Sequence, residues 1–309
     1  MKKYKFSTVR IFQTLALVLA IAGLSSCEDV IDLNTETGPT QLVVDGWITN
    51  QPGTQTITLT WSSAYFDKNP IKPVLGAKVT VTDNLGKVYE FTDKDGTGNY
   101  TWGKLNTDTL GHVGGKYSLR IEHEQEVYTS KNEIKRVPKI DSLVYTNETL
   151  PFTPDDGQKT GYIAEFYARD FAGTGDTYWI KEVLNGKTNV DKAEKISIAW
   201  DAAFGAGAPS DGLIFIQPLR RSITYDSLYQ AGSHVGVELH SITNEAFYFL
   251  QQIVEQSSNG GLFATPIANI KSNVINADPN GRKALGYFGA SAVSRMETVI
   301  DPKKARPED

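Results

Sequence analysis

The chain has 309 residues, a net charge of −5 and an isoelectric point near 5.5, and an acidic balance of this kind excludes a basic nucleic-acid groove. Gly 27, Tyr 14 and Trp 5, among many Thr and Val, suit β-structure rich in turns. A single Cys excludes any disulfide within the chain, so stability must come from packed cores.

Lys2, Lys3, Lys5 and Arg10 precede an apolar run from Ile11 to Gly23. The run is too short and wrongly flanked to span a bilayer, and residues 1–26 read as a secretory signal. Leu24-Ser25-Ser26-Cys27 resembles the bacterial lipoprotein signal, in which small residues before the Cys admit a dedicated peptidase. That resemblance implies acylation (palmitate and related chains) of Cys27 and insertion of those chains into membrane lipid. Each buried methylene contributes about 0.8 kcal/mol, so several chains hold where one binds reversibly. Glu28 and Asp29 resemble the acidic export signal of Bacteroidetes surface lipoproteins, which implies an outer-membrane, cell-surface location. Residues 27–40 are then a lipidated tether.

The 283 residues left after the signal are enough for two domains. Gln41 to Thr49 opens the first, over residues 41–137. From Gln55 to Trp61, Ile57, Leu59 and Trp61 alternate with Thr56, Thr58 and Thr60, as in a strand with one buried face. Ala77–Thr82, Val88–Phe91, the run through Tyr117, Leu119 and Ile121, and Val127–Tyr128 repeat the pattern between turn signals. Strands so spaced predict a small antiparallel sandwich. Lys135–Lys139, with Pro138, is the expected joint to a second domain over residues 138–300.

There Ser142–Thr146, Tyr162–Arg169, Thr177–Asn185, Ile196–Trp200, Leu213–Ile216 and the stretch through Val235, Val237 and Leu239 are the expected strands. Asn185-Gly186 predicts a hairpin turn. Ala202–Gly212, rich in Gly and Ala, is expected to be exposed and mobile. One helix is predicted over 244–258, capped by Thr243 or Asn244, with Ala246, Phe249, Leu250, Ile253 and Val254 on its packed face. Ala284–Val293 reads as a last strand and residues 301–309 as a frayed tail. The expected fold is mostly β: an N-terminal Ig/transthyretin-like sandwich followed by a larger β-rich domain carrying one packed helix.

Pro73–Asp83, Asp93-Lys94-Asp95-Gly96 and Gly115–Leu119 are similar to the carboxypeptidase-regulatory or transthyretin-like sandwich, over roughly 60 residues. Cys27–Leu33, Leu42–Ile48, Val237-Glu238-Leu239 and Ala284–Ser291 resemble a Bacteroidetes outer-membrane lipoprotein family catalogued as a domain of unknown function. Members are commonly encoded beside TonB-dependent outer-membrane receptors, so the resemblance implies an accessory to nutrient uptake with such a β-barrel as partner. It implies no catalytic residue and no cofactor.

His234, Glu238 and His240 share one parity of a strand and could approach a metal. Val235, Val237 and Leu239 define the opposite, buried side, so the His face is expected to be wet. Asp93, Asp95 and Asn99 place oxygens at alternate positions around Gly96, like part of a calcium loop without its distal Glu; a turn pair is the plainer reading. Trp47, Trp61, Trp102, Trp179, Trp200, Tyr65 and Phe66 are candidate stacking platforms for a glycan or peptide ligand. Trp102, Tyr65 and Phe66 are the preferred ones, since Trp47 and Trp61 fall on apolar strands. Thr109, Ser142 and Ser227 sit in Asp-Ser/Thr-aliphatic tripeptides resembling a Bacteroidetes O-glycosylation acceptor. With no G-x-S-x-G, no H-E-x-x-H and no free thiol, no nucleophile constellation forms. The expectation is therefore a non-catalytic surface lipoprotein serving a TonB-dependent receptor, or an envelope scaffold with no small-molecule ligand.

Overall fold

Alternation along the early strands becomes two sheets closed face to face. The computed structural model describes residues 38–64, 67–104, 107–153, 158–190, 192–224, 227–259 and 270–307. In chain order the first strands are β1 (Leu42–Thr49), β2 (Gln55–Trp61), β3 (Lys78–Asp83), β4 (Val88–Phe91), β5 (Asn99–Trp102), β6 (Lys116–His123) and β7 (Glu126–Glu133). They continue as β8 (Ile140–Thr149), β9 (Thr160–Ala168), β10 (Thr177–Leu184), β11 (Lys187–Asn189), β12 (Ser197–Trp200) and β13 (His234–Ile242). The last are β14 (Ile275–Asn276), β15 (Ala284–Ser291) and β16 (Val293–Val299). Two helices, α1 (Gln217–Arg220) and α2 (Asn244–Ser257), complete the described elements with short 3-10 turns.

The first sandwich stacks the sheet ordered β15-β1-β2-β5 on the sheet ordered β14-β7-β6-β3-β4. Leu42, Val44, Ile48, Ile57 and Leu59 from one sheet meet Val79, Val81, Leu119 and Ile121 from the other in one core. Each such aliphatic side chain, fully buried, contributes about 1.5–3 kcal/mol. Tyr100 closes the core and satisfies its hydroxyl by donating to Val74 O at 2.9 Å.

A second core lies between the β8–β9 hairpin and the sheet ordered β11-β10-β13-β16, with β12 also on β10. Tyr145 and Phe166 of the hairpin face Tyr178, Ile180, Val235, Val237 and Leu239 of the sheet. The opposite face of that sheet is covered as well. There α2 sets Ala246, Phe247 and Leu250 against Trp179, Ile242 and Tyr287. Thr243 caps the helix, accepting from Ala246 N at 3.3 Å. The mostly β fold with one packed helix is as expected.

The serial division at residue 138 is crossed. β15 pairs in parallel with β1 in full register, from Leu42 with Ala284 to Thr49 with Ser291, so the last part of the chain completes the first sandwich. The expected single strand Ala284–Val293 is two strands bent at Ala292, where the chain leaves the first core for the second sheet. Ser241 holds this crossing: its Oγ donates to Lys135 O at 2.7 Å and accepts from Ala292 N at 3.0 Å. Val137, in the expected joint, packs on both cores. Thr40–Asp309 accordingly forms one compact unit.

Three local expectations change. Ala202, Ala203 and Ser210 are buried at the loop's ends, where Asp201 accepts from Gly175 N and Asp176 N, while Phe204, Ala206, Gly207 and Pro209 between them are exposed as expected. Leu213–Ile216 is not a strand; Ile214 makes one isolated bridge with Arg169, and Ile216 starts α1 with Pro218 in its first turn. The tail is held as far as Arg306, whose N donates to Tyr145 O at 2.9 Å.

Candidate functional site

Strand parity builds a cleft on the outer side of the first sandwich. Even-numbered side chains of β1 enter the core, so Val43, Asp45, Trp47 and Thr49 point the other way, beside Thr56 and Thr58 of β2. On β10, Tyr178 and Ile180 face the second core, which turns Trp179 and Lys181 toward β1 and α2. Phe249 and Ile253 of α2 close the remaining wall. The resulting cleft has a volume of about 740 Å³, within the range usual for small-molecule sites.

Its aromatic side is continuous. The Trp47 and Trp179 rings meet edge to face at 5.1 Å, Trp47 stacks on Tyr287 at 5.6 Å, and Tyr287 meets Phe249 at 4.6 Å. β10, β1, β15 and α2 each supply one ring. Lys181 lies among them with only 8 % of its surface exposed, its Nζ 3.7 Å from the Trp179 ring centroid and 6.0 Å from that of Trp47. Cation–π attraction offsets part of the lost hydration.

From Lys181 a charge row runs across three strands, since Lys181 is paired in register with Glu238 and Glu238 with Arg295. Glu238 is already engaged: Oε1 accepts from Arg295 Nη1 at 2.5 Å, and Oε2 from His240 Nε2 at 3.0 Å and Thr188 Oγ1 at 3.2 Å. Burial alone would raise the Glu238 carboxyl, but the His240 hydrogen bond and the charges of Arg295 and Lys181 outweigh it and hold it at about 2. Burial, and then the Lys181 charge, push the His240 imidazole down to about 4 despite Glu238. Neutral His240 gives its Nε2 hydrogen to ionised Glu238, and Nδ1 is left without a partner.

Burial likewise pushes the Lys181 ammonium down to about 8, against the pull of Glu238 and Asp45. Asp45 is raised by desolvation, which its attraction to Lys181 only partly counters. Lys181 makes no hydrogen bond and no ion pair within 4.0 Å among the described residues, and the Trp179 Nε1–H has no acceptor either. The cleft thus presents a cation with no salt-bridge partner beside a wall of rings, and the Trp179 Nε1–H is buried behind it.

The His234, Glu238 and His240 face is not wet at its centre. His240 is 5 % exposed because Trp179, its register partner, and α2 cover this side of the sheet, whereas His234 is exposed at the strand's start. The two imidazoles therefore do not converge. Trp102 is half-buried on the first core, meets Tyr89 edge-on at 5.0 Å, and is not part of the cleft lining. Trp47, read from the sequence as core, faces the cleft. Tyr65, Phe66 and Cys27 lie outside the described residues.

Asp93 turns its carboxylate onto its own loop, accepting from Thr97 N at 3.2 Å and Gly98 N at 2.9 Å. Asn99 Oδ1 accepts from Thr58 Oγ1 at 2.8 Å, while Asp95 adds its amide to Asp93. These groups form the turn pair. Thr109 and Ser227 are exposed, and Ser142 is half-buried at the bulge of the β8–β9 hairpin. Asp170, Asp201 and Asp211 bring carboxylate oxygens within 4.8 Å of one another. Asp170 accepts from Tyr178 OH at 2.5 Å and Asp201 from two loop amides, so hydrogen bonds to the protein account for both.

Sequence reasoning missed Lys181 as a site residue. The available signal was a charge at a buried parity of a strand, between Trp179 and Val183, facing Glu238 in the next strand.

Residues 28–297 match the family model described as a domain of unknown function (DUF4249), and the chain belongs to this family. No curated protein matches it.

Proposed function

We propose that this member of the DUF4249 family is a non-catalytic, lipid-anchored surface protein that binds a small ligand and serves a TonB-dependent outer-membrane receptor in its uptake. The observation that carries the binding role is the cleft between β1, β10 and α2, with the unpaired Lys181 ammonium set among Trp47, Trp179 and Tyr287. Acylated Cys27 is the anchor in this reading, supported by the basic and apolar leader before it and by Glu28 and Asp29 after it. No described helix is long and apolar enough to cross a membrane. The β1–β7 sandwich is read as one of the carboxypeptidase-regulatory or transthyretin type, on the motifs around Ala77, Asp93 and Tyr117.

Native co-purification from membranes tests the receptor role, with labelled palmitate as the test of the anchor. A stable complex with a β-barrel receptor and label lost on Cys27→Ala are expected. Envelope partners without a receptor would make the protein a scaffold instead, and unlabelled protein that stays membrane-bound after Cys27→Ala would overturn the anchor.

A further inference from the structure

A buried ammonium is costly unless something neutralises it, and the folded chain leaves Lys181 without a close counter-ion. Glu238, its register partner, is committed to Arg295, His240 and Thr188. Asp45 forms no ion pair with it. An ammonium without a salt-bridge partner calls for a charged acceptor. Around it the surface is apolar and flat-walled, with ring centroids of successive aromatics 4.6–5.6 Å apart.

We propose that the cleft takes a small molecule carrying one anionic group, a carboxylate or sulfonate, on a flat apolar body. The anion faces Lys181, and the body lies along Trp47, Tyr287 and Phe249. The lining carries two ammonium groups, Lys181 and Lys192, and one carboxylate, Asp45, a net charge that balances one negative charge and not two, and the described lining holds no guanidinium for a bidentate phosphate. Lys192, exposed on the rim, adds attraction for an incoming anion. The assignment rests on reading the cleft as a ligand site.

The test compares naphthalene-2-carboxylate with naphthalene-2-carboxamide, equal in shape and differing in charge, by calorimetry on the chain from Glu28 onward, which contains every described element. The carboxylate is expected to bind one to one, at least ten-fold more tightly than the amide. Lys181→Met keeps the stem and removes the charge. It should abolish that preference while leaving the amide unchanged and the melting temperature no lower, and Lys181→Arg should keep part of the preference. Equal binding of the two probes, or a carboxylate affinity untouched by Lys181→Met, overturns the anionic class and leaves the cleft a ligand site. Binding of neither probe overturns both. The probe comparison on the unaltered chain needs no variant, so a Lys181→Met chain that failed to fold would not shield the proposal.

Discussion

The Trp47 indole lies over Gly289, its register partner in the parallel β1–β15 pair, so closely that a Cβ built on Gly289 would overlap the six-membered ring. The aromatic wall of the cleft therefore depends on a missing side chain contributed from the far end of the chain. Gly289→Ala must expel the indole or push the strands apart. It should cost about 1–3 kcal/mol, as overpacking does, and shift Trp fluorescence to the red. Denaturant unfolding followed by that fluorescence measures both, and an unchanged midpoint and spectrum would show that the ring is free to move.

His240 ties stability to pH. Its folded value of about 4 lies below the ordinary 6.5, so between the two the unfolded chain binds a proton that the folded chain refuses. Stability should then rise with pH across that window and be lost as pH falls through it. Glu238, held at about 2 against an ordinary 4.5, adds a second loss at lower pH. Unfolding midpoints from pH 4 to 7 should slope upward, and His240→Gln should flatten the slope; equal slopes would contradict the assignment.

Glu165 is 6 % exposed and binds two cations, Arg220 at 2.6 Å and Arg221 at 3.3 Å. Arg220 also donates to Phe215 O at 2.6 Å, tying α1 to β9. Removing the carboxylate strands a half-buried guanidinium, so Glu165→Ala should destabilise by about 2 kcal/mol. Arg221→Ala, acting at a side chain about one-third exposed, should cost less than about 1 kcal/mol. Comparable midpoints for the two variants would contradict this ordering.

Thr243 starts α2, one wall of the cleft. Thr243→Ala leaves the Ala246 amide without its acceptor and should cost about 1 kcal/mol. Hydrogen exchange should quicken at Ala246 and Phe247 while the β3–β6 amides stay protected. Uniform quickening would mean that the helix end is no local unit.

Where one strand face is buried and the other open, the alternation of residues was a sufficient guide. β1, β2, β3 and β6 lie where Ile57, Leu59, Val79, Val81, Leu119 and Ile121 required, and Thr243 caps the helix as its short hydroxyl side chain predicts. The strands of the second sheet were harder to read because both of their faces are covered. Parity separated Val235, Val237 and Leu239 from Glu238 and His240 correctly, yet said nothing of the α2 and Trp179 surface lying over the second set. β5 was not among the expected strands because its four residues are too few to show a period.

Local chemistry along the chain was enough to settle the two-residue rhythm of the strands, the turns at Gly and Asn, and the one amphipathic helix. Those features depend on neighbours a few positions apart. Lys181 became a buried cation, Trp47 a wall instead of core, and Ala284–Ser291 a partner of β1 only through contacts between segments up to about 240 residues apart. Desolvation of a charge is set by what folds over it, and that covering surface comes from other strands and a helix remote in sequence.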